Sequence, residues 1–291
     1  MNQLQIGILK AASYSAVFKY PLSFSEIIKY WIGNKTNFNL QELNRNLTEL
    51  VENKKLILNK CFYTLPNYST IDRTYRERLA VKKWLIAQKK SAILSKIPTV
   101  KMIAVTGSLA MSNSQKDDDI DFLIITSSGK LWLTRFFAVL LMEISGGRRH
   151  PLDQIVADKI CLNMFLDEQC LKIPQKERDI FIAHEIAQMK LIFNRDQTYE
   201  KFVQQNLWVE KFLPNCFKGL NTRKVKMVAR KNSGTGISGW LENQFFKLQL
   251  GKMKDRITSE IIESGKIRFH PNDCREEIIS RYQEILLEQK I

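Results

Sequence analysis

The sequence predicts an α+β fold, in which a small mixed-sheet core lies between an N-terminal helical unit closed by a β-hairpin and a helical C-terminal region. Three observations predict it. Apolar residues recur at three- and four-residue spacing before residue 66 and again after residue 176, which is helical patterning. Short β-favouring apolar runs cluster between residues 100 and 166. Pro66 and Pro98 stand where one pattern gives way to the next.

Residues 1–66 read as a winged helix-turn-helix. A first helix over Gln5–Phe18 leads to Tyr20-Pro21-Leu22, after which Ser23 or Ser25 can cap a second helix through Trp31, with Gly33 beyond its end. Leu40, Leu43, Leu47, Leu50 and Val51 form the buried stripe of a third helix from Asn39 to Lys54. Leu56–Leu58 and Cys61–Leu65 are short strands about Asn59-Lys60. The exposed face of the third helix offers Gln41, Glu42, Asn44, Arg45, Asn46, Glu49 and Glu52, whose acids repel phosphates as often as Arg45 attracts them. A packing or protein-contact role is therefore favoured over reading DNA.

Residues 67–98 form a basic linker helix carrying Arg73, Arg76, Arg78, Lys82, Lys83, Lys89 and Lys90. Such a cluster can line a groove for a phosphate-bearing acceptor, but charged solvent faces are common on connecting helices, and that plainer reading is preferred.

Residues 99–175 are the core and hold the residues that read as chemistry. Met102–Thr106 is a strand, Gly107-Ser108 a turn into a short helix at Leu109–Met111, and Phe122–Thr126 a second strand that opens with Asp119-Ile120-Asp121. Strand side chains alternate, so Asp119 and Asp121 project to one side with Cα atoms roughly 6–7 Å apart while Ile120 turns away. Two carboxylates so placed suit one divalent ion, and Mg²⁺ takes one or two protein carboxylates completed by water and phosphate. Gly107 lets a phosphate approach the backbone, and Ser108 can offer its hydroxyl and N–H. Leu131–Ser145 is a buried helix and Lys159–Leu166 a third strand. Between them, Gly146–Pro151 reads equally as a flexible basic loop whose Arg148 and Arg149 suit phosphate oxygens or as a plain surface connection.

Residues 176–291 read as helices over Arg178–Leu191, Tyr199–Phe212, Trp240–Ser264 and Cys274–Gln289, with Asn221–Gly239 as a flexible segment. His184-Glu185 lacks the second histidine of a zinc-peptidase helix, since Gln188 stands there, and His184 reads as a satisfied helix-packing or surface residue.

Composition narrows the class. With 291 residues, 44% hydrophobic and 26% charged, the chain can bury the cores of two or three units, and disorder is not the default. A formal charge of +15 favours polyanionic partners such as nucleotides or nucleic acid. Five cysteines without paired spacing indicate neither a disulfide framework nor a zinc site, and a reducing cytoplasm fits. Lys10 inside the first apolar stretch argues against a signal peptide. Arg135 and Glu143 interrupt the longest apolar segment, which is too short to span a bilayer, so no membrane partner is expected.

A Gly-Ser turn followed, ten residues later, by Asp-x-Asp between two apolar strands resembles the polymerase-beta-like nucleotidyltransferase superfamily, most strongly over residues 100–166. The resemblance implies a nucleoside triphosphate bound through Mg²⁺, an acceptor attacking its α-phosphate, and pyrophosphate leaving. It assigns metal binding and catalysis to Asp119 and Asp121 and nucleotide contacts to Gly107 and Ser108. Active members add a third carboxylate on a later strand. The position here is Asn163, whose amide can ligate a metal but cannot accept a proton, with Asp153, Asp158 and Asp167 as substitutes from neighbouring loops. The expectation is a cytoplasmic Mg²⁺-dependent nucleotidyltransferase acting on an acceptor the sequence does not identify. The alternative is a module of the same fold, weakened in turnover, that binds nucleotide, nucleic acid or a protein partner. Base preference and oligomeric state are not legible.

Overall fold

In the computed structural model, which describes residues 1–33, 39–68, 70–150, 153–220, 237–253, 261–263, 265–268 and 274–291, the chain opens with α1 (Gln3–Val17). Asn2 caps it: its side chain accepts from the Gln5 N–H, and the Gln5 side chain accepts from the Asn2 N–H in return. Ser23 and Glu26 repeat that reciprocal arrangement between β1 (Leu22–Ser23) and α2 (Phe24–Tyr30). In α3 (Leu40–Glu52), Leu43, Leu47 and Leu50 point inward as their spacing predicts. Asn46, expected on the outer face, is buried instead, because Asn2 Nδ2 donates to its Oδ1 at 2.7 Å. β2 (Ile57–Asn59) and β3 (Phe62–Thr64) complete an antiparallel sheet of order β1-β3-β2.

α4 (Arg73–Leu94) begins at the Asp72 cap and is tied to this unit by a buried arginine. Arg73 donates to Pro21 O, Glu26 and Glu77, and its guanidinium lies 4.3 Å from the Tyr20 ring centre and 4.4 Å from that of Phe62.

The second sheet is built from β4 (Val100–Val105), β5 (Ile120–Thr126), β6 (Ile160–Asp167), β7 (Lys190–Asn194), β8 (Ile261–Glu263) and β9 (Lys266–Arg268), in the order β7-β4-β5-β6-β9-β8. Only β5 and β6 run parallel, and the crossover this demands is α6 (Leu131–Ile144). The short α5 (Gly107–Ala110) follows β4. Alternation along the central strands feeds two cores. Ile103, Val105, Phe122 and Ile124 pack with α4 and α6. Met102, Ala104, Leu123 and Ile125 join α1 and α3, together with α7 (Ile180–Gln188), α8 (Thr198–Gln205) and α10 (Arg275–Glu288), in one continuous apolar cluster.

The region after residue 176 is not purely helical, a correction to the sequence reading. α7 ends at Gln188, because Met189 turns extended with ψ of 144°, and residues 190–194 pair with β4, covering an edge whose backbone groups need partners. Likewise α9 (Ile237–Met253) covers the first part of the helix expected over Trp240–Ser264, but Ile261–Glu263 is strand, and β8 and β9 extend the sheet beyond β6. Most of the expected flexible segment, residues 221–236, lies outside the described residues. α6 is covered on one side by α9, whose Glu242 accepts the orphan Trp132 and Leu133 N–H groups at 2.6 and 3.0 Å. It is not wholly buried as expected: Phe137, Leu140 and Ile144 are 41%, 41% and 75% exposed. Among the described residues, no helix is long and apolar enough to cross a membrane.

Candidate functional site

The turn after β4 is fastened to β5 by the Thr106 N–H, which donates to Asp121 O at 3.0 Å. Gly107 takes φ of +64°, and a β-carbon there would sit 2.7 Å from Asp121 Oδ2, so conformation and space both demand glycine. Ser108 Oγ donates to Asp118 Oδ2 at 3.0 Å and lies 3.1 Å from Ser114 Oγ. Its hydroxyl, expected to face an anion, is therefore committed to a carboxylate and braces the loop leading to the acid pair.

That loop is also held from α4. Lys83, only 2% exposed, donates to Lys116 O, Asp118 O and Asp158 Oδ1, while Lys82 pairs with Asp158 at 2.6 Å. One lysine of the basic helix is thus an internal clamp, a role its charged neighbours in sequence concealed.

Asp119 and Asp121 converge as strand alternation predicts. Their carboxylates and the Cys161 sulfur lie within 4.8 Å of one another. Arg149, on the loop after α6, donates to Asp119 Oδ2 at 2.6 Å and lies 3.9 Å from Cys161 Sγ. Burial, and then the charge of Asp119, push the Asp121 carboxyl up to about 7. Burial and the two acids push the Cys161 thiol well above its ordinary range, so it stays protonated.

The β6 side chain that joins the acids is Cys161, because the parallel register sets it opposite Asp121. Asn163, the expected third position, lies two residues on, beyond a register irregularity, and is 4% exposed. The loop acids are engaged elsewhere. Asp153 accepts from Lys159 Nζ and the His150 N–H, Asp158 from Lys82 and Lys83, and Asp167 from the Gly129 and Gln169 N–H groups.

Gly107 and Ser108 also line a cavity of about 270 Å³, walled by residues of α1, α2, α7 and α10. His184 stacks on Tyr14 there with ring centres 3.7 Å apart, and burial holds its imidazole neutral by lowering it to about 3. His184 is a buried packing residue and not a surface one, but not the satisfied one expected, since its Nε2 has no partner among the described residues, and it adds a cavity wall that sequence spacing does not reveal. Glu185 also lines the cavity, and its charge contributes to raising Asp121. No protein-family model, curated protein or solved structure matches the chain.

Proposed function

We propose that this chain is a Mg²⁺-dependent nucleotidyltransferase that moves a nucleoside monophosphate from a triphosphate to an acceptor. The observation that carries the reading is the half-buried meeting of Asp119 and Asp121 with one arginine beside them. Two like charges held close together and partly withdrawn from water favour a cation between them.

The donor set fits Mg²⁺. The carboxylates supply the hard oxygens that Mg²⁺ takes, with Cys161 as a softer neighbour on β6. Bound there, Mg²⁺ would neutralise charge developing on the phosphates. In this reading Gly107 gives the phosphates room against the backbone at the turn. Arg149 exchanges its bond to Asp119 for phosphate oxygens, to which its planar fork is matched. An acceptor oxygen then bonds to the α-phosphorus and gives up its proton to solvent, as the bond to the bridging oxygen breaks and pyrophosphate departs with that electron pair.

Transfer from an α-labelled triphosphate tests this directly. Asp119→Asn and Asp121→Asn are each expected to lower transfer by about two orders of magnitude or more with an unchanged circular dichroism spectrum. Undiminished transfer in the double variant sinks the assignment.

One observation favours the second reading, a nucleotide-binding module without turnover: a thiol rather than an acid stands beside Asp121 on β6. Melting shifts with triphosphate and Mg²⁺, combined with no pyrophosphate release across a broad acceptor screen, would support it.

The N-terminal unit we read as a winged helix used for packing. Its order of helix, strand, two helices and two strands, with a three-stranded antiparallel sheet, supports the first part. The second rests on the burial of α1 against α10, where Tyr14 meets the edge of Tyr282 at 5.5 Å, and on Arg45 of α3, whose charge is offset by Glu49 at 3.9 Å. Binding to random duplex DNA in a low-salt shift assay would count against it.

A further inference from the structure

A second recess, of about 480 Å³, opens between α2, the start of β7 and the segment after α8. Lys29, Lys190 and Lys218 line it, and no acid does among the described residues. Lys218 has a partner already. Lys29, half-buried on α2, and Lys190, exposed at the first residue of β7, are different: among the described residues neither forms an ion pair or a side-chain hydrogen bond, and neither ammonium is sealed from solvent. Lys29 Nζ has only the Tyr30 ring, 5.2 Å away. The two lysines also repel each other. Burial, and then the charge of Lys190, lower Lys29 to about 8. Cys216 in the same wall brings no offsetting charge at neutral pH, because burial pushes its thiol up to about 12, and the Glu26 carboxylate is bonded to Arg73 and Tyr20. Directly after the wall residue Leu220, the sequence over 221–236 carries Arg223, Lys224, Lys226, Arg230 and Lys231 and no acid. Two cations held together in this way are relieved by an anion.

The recess stands beside the cavity that Gly107 and Ser108 line. Lys29 and Met189 line the recess while their chain neighbours Tyr30 and Gln188 line the cavity. Lys190 pairs with Val105 on β4, whose partner on β5 is Phe122, so it stands at the sheet end that carries Gly107 and Asp121, about 10 Å away across two strand spacings. Arg149 reaches the acid pair from the β6 side, beside Cys161, whereas Lys190 stands on the β7 side. The groups that attract phosphate thus flank the acids from opposite directions. We propose that this recess is a phosphate-binding site and that, on the nucleotidyltransferase reading of Asp119 and Asp121, it holds a phosphate of the acceptor while Arg149 serves the donor. A compact ammonium suits phosphate as a point charge, and two of them suit a dianion.

Inorganic phosphate titrated into the full chain at constant ionic strength tests the site. Binding is read from lysine ¹³Cε signals, with those of Lys29 and Lys190 assigned from Lys29→Gln and Lys190→Gln. Both signals are expected to shift together, and each variant should weaken phosphate by about tenfold. Lys29→Arg, which keeps the charge, should retain binding. Lys89→Gln, at an exposed lysine of α4, should leave it unchanged. No shift at either lysine, or equal weakening by Lys89→Gln, overturns the proposal. The titration is then repeated with a non-hydrolysable ATP analogue and Mg²⁺. Phosphate that still binds supports an acceptor site, and displacement by the analogue overturns it in favour of the donor's own phosphates. Glycerol phosphate and a short single-stranded RNA with a terminal phosphate separate the two sources of the group. Either one binding more tightly than inorganic phosphate, and losing that advantage in Lys190→Gln, supports the acceptor site and names its source; neither doing so overturns the acceptor assignment. The first titration needs neither nucleotide nor metal and should survive Asp119→Asn with Asp121→Asn. Failure of the transfer reaction alone is thereby kept separate from failure of the phosphate site.

Discussion

Gly107 and Asp121 are packed so closely that a β-carbon on the first would stand 2.7 Å from a carboxylate oxygen of the second. The same glycine holds φ at +64°, where an L side chain is strained. Gly107→Ala therefore faces two penalties, and the cheaper relief is to push the Asp121 carboxylate out of line with Asp119. The expected result is a loss of roughly 1–3 kcal/mol in urea unfolding, with transfer falling by more than that instability explains. Wild-type transfer in this variant would show that the turn does not position the acid.

Arg149 and a divalent ion compete for Asp119, because the guanidinium already lies 2.6 Å from its Oδ2. Arg149→Ala should therefore tighten Mg²⁺ binding in titration calorimetry by about a few-fold, while the KM for triphosphate rises by about tenfold from loss of the phosphate partner. Arg149→Lys keeps the charge but not the fork, and should fall between the two. Both quantities moving in the same direction would refute the exchange.

Asp121 gives the chain a definite pH signature. Its folded value, raised to about 7, lies above the unfolded carboxylate value near 4, so between these limits the folded state holds a proton that the unfolded state has released. Stability with chelator present should then fall as pH rises from about 4 to about 7, with a slope of at most about 1.4 kcal/mol per unit from this one proton. Asp121→Asn should flatten that slope. Mg²⁺ affinity should run the opposite way, rising with pH and levelling above about 7, because the ion takes the ionised form. Urea melts across this range, with and without Mg²⁺, measure both.

The parts of the site legible in the sequence are those fixed by local spacing. Gly107 needs only its own backbone, and Asp119 and Asp121 need only strand alternation to share a face. Cys161 was hidden because its place depends on the parallel register of β5 and β6, which no run of residues encodes. The strand at Lys190–Asn194 was hidden for a related reason. It follows a helix without a glycine or proline between them, and its half-exposed residues lack clean alternation, so only the open edge of β4 explains it. Tyr14 and His184 meet by stacking across most of the chain, a contact that neither residue's neighbours announce.

Lys82 and Lys83 stand side by side in a stretch of α4 that reads as a uniform basic face, yet they should respond very unequally to the same substitution. Lys82 is 74% exposed and pairs with Asp158 at the surface, so Lys82→Met should change stability by well under about 1 kcal/mol. Lys83 is 2% exposed and donates to two loop carbonyls and to Asp158. Lys83→Met preserves the apolar stem but leaves those acceptors without their donor, at a cost of roughly 2–4 kcal/mol in urea unfolding. The Asp118 carbonyl is one of those acceptors, and the Asp118 carboxylate holds Ser108, so the loss also loosens the loop between the Gly-Ser turn and the acid pair. Transfer by Lys83→Met should fall even at temperatures where the protein remains folded, whereas Lys82→Met should keep it. Equal effects in the two variants would mean that the burial of Lys83 carries no share in positioning the acids.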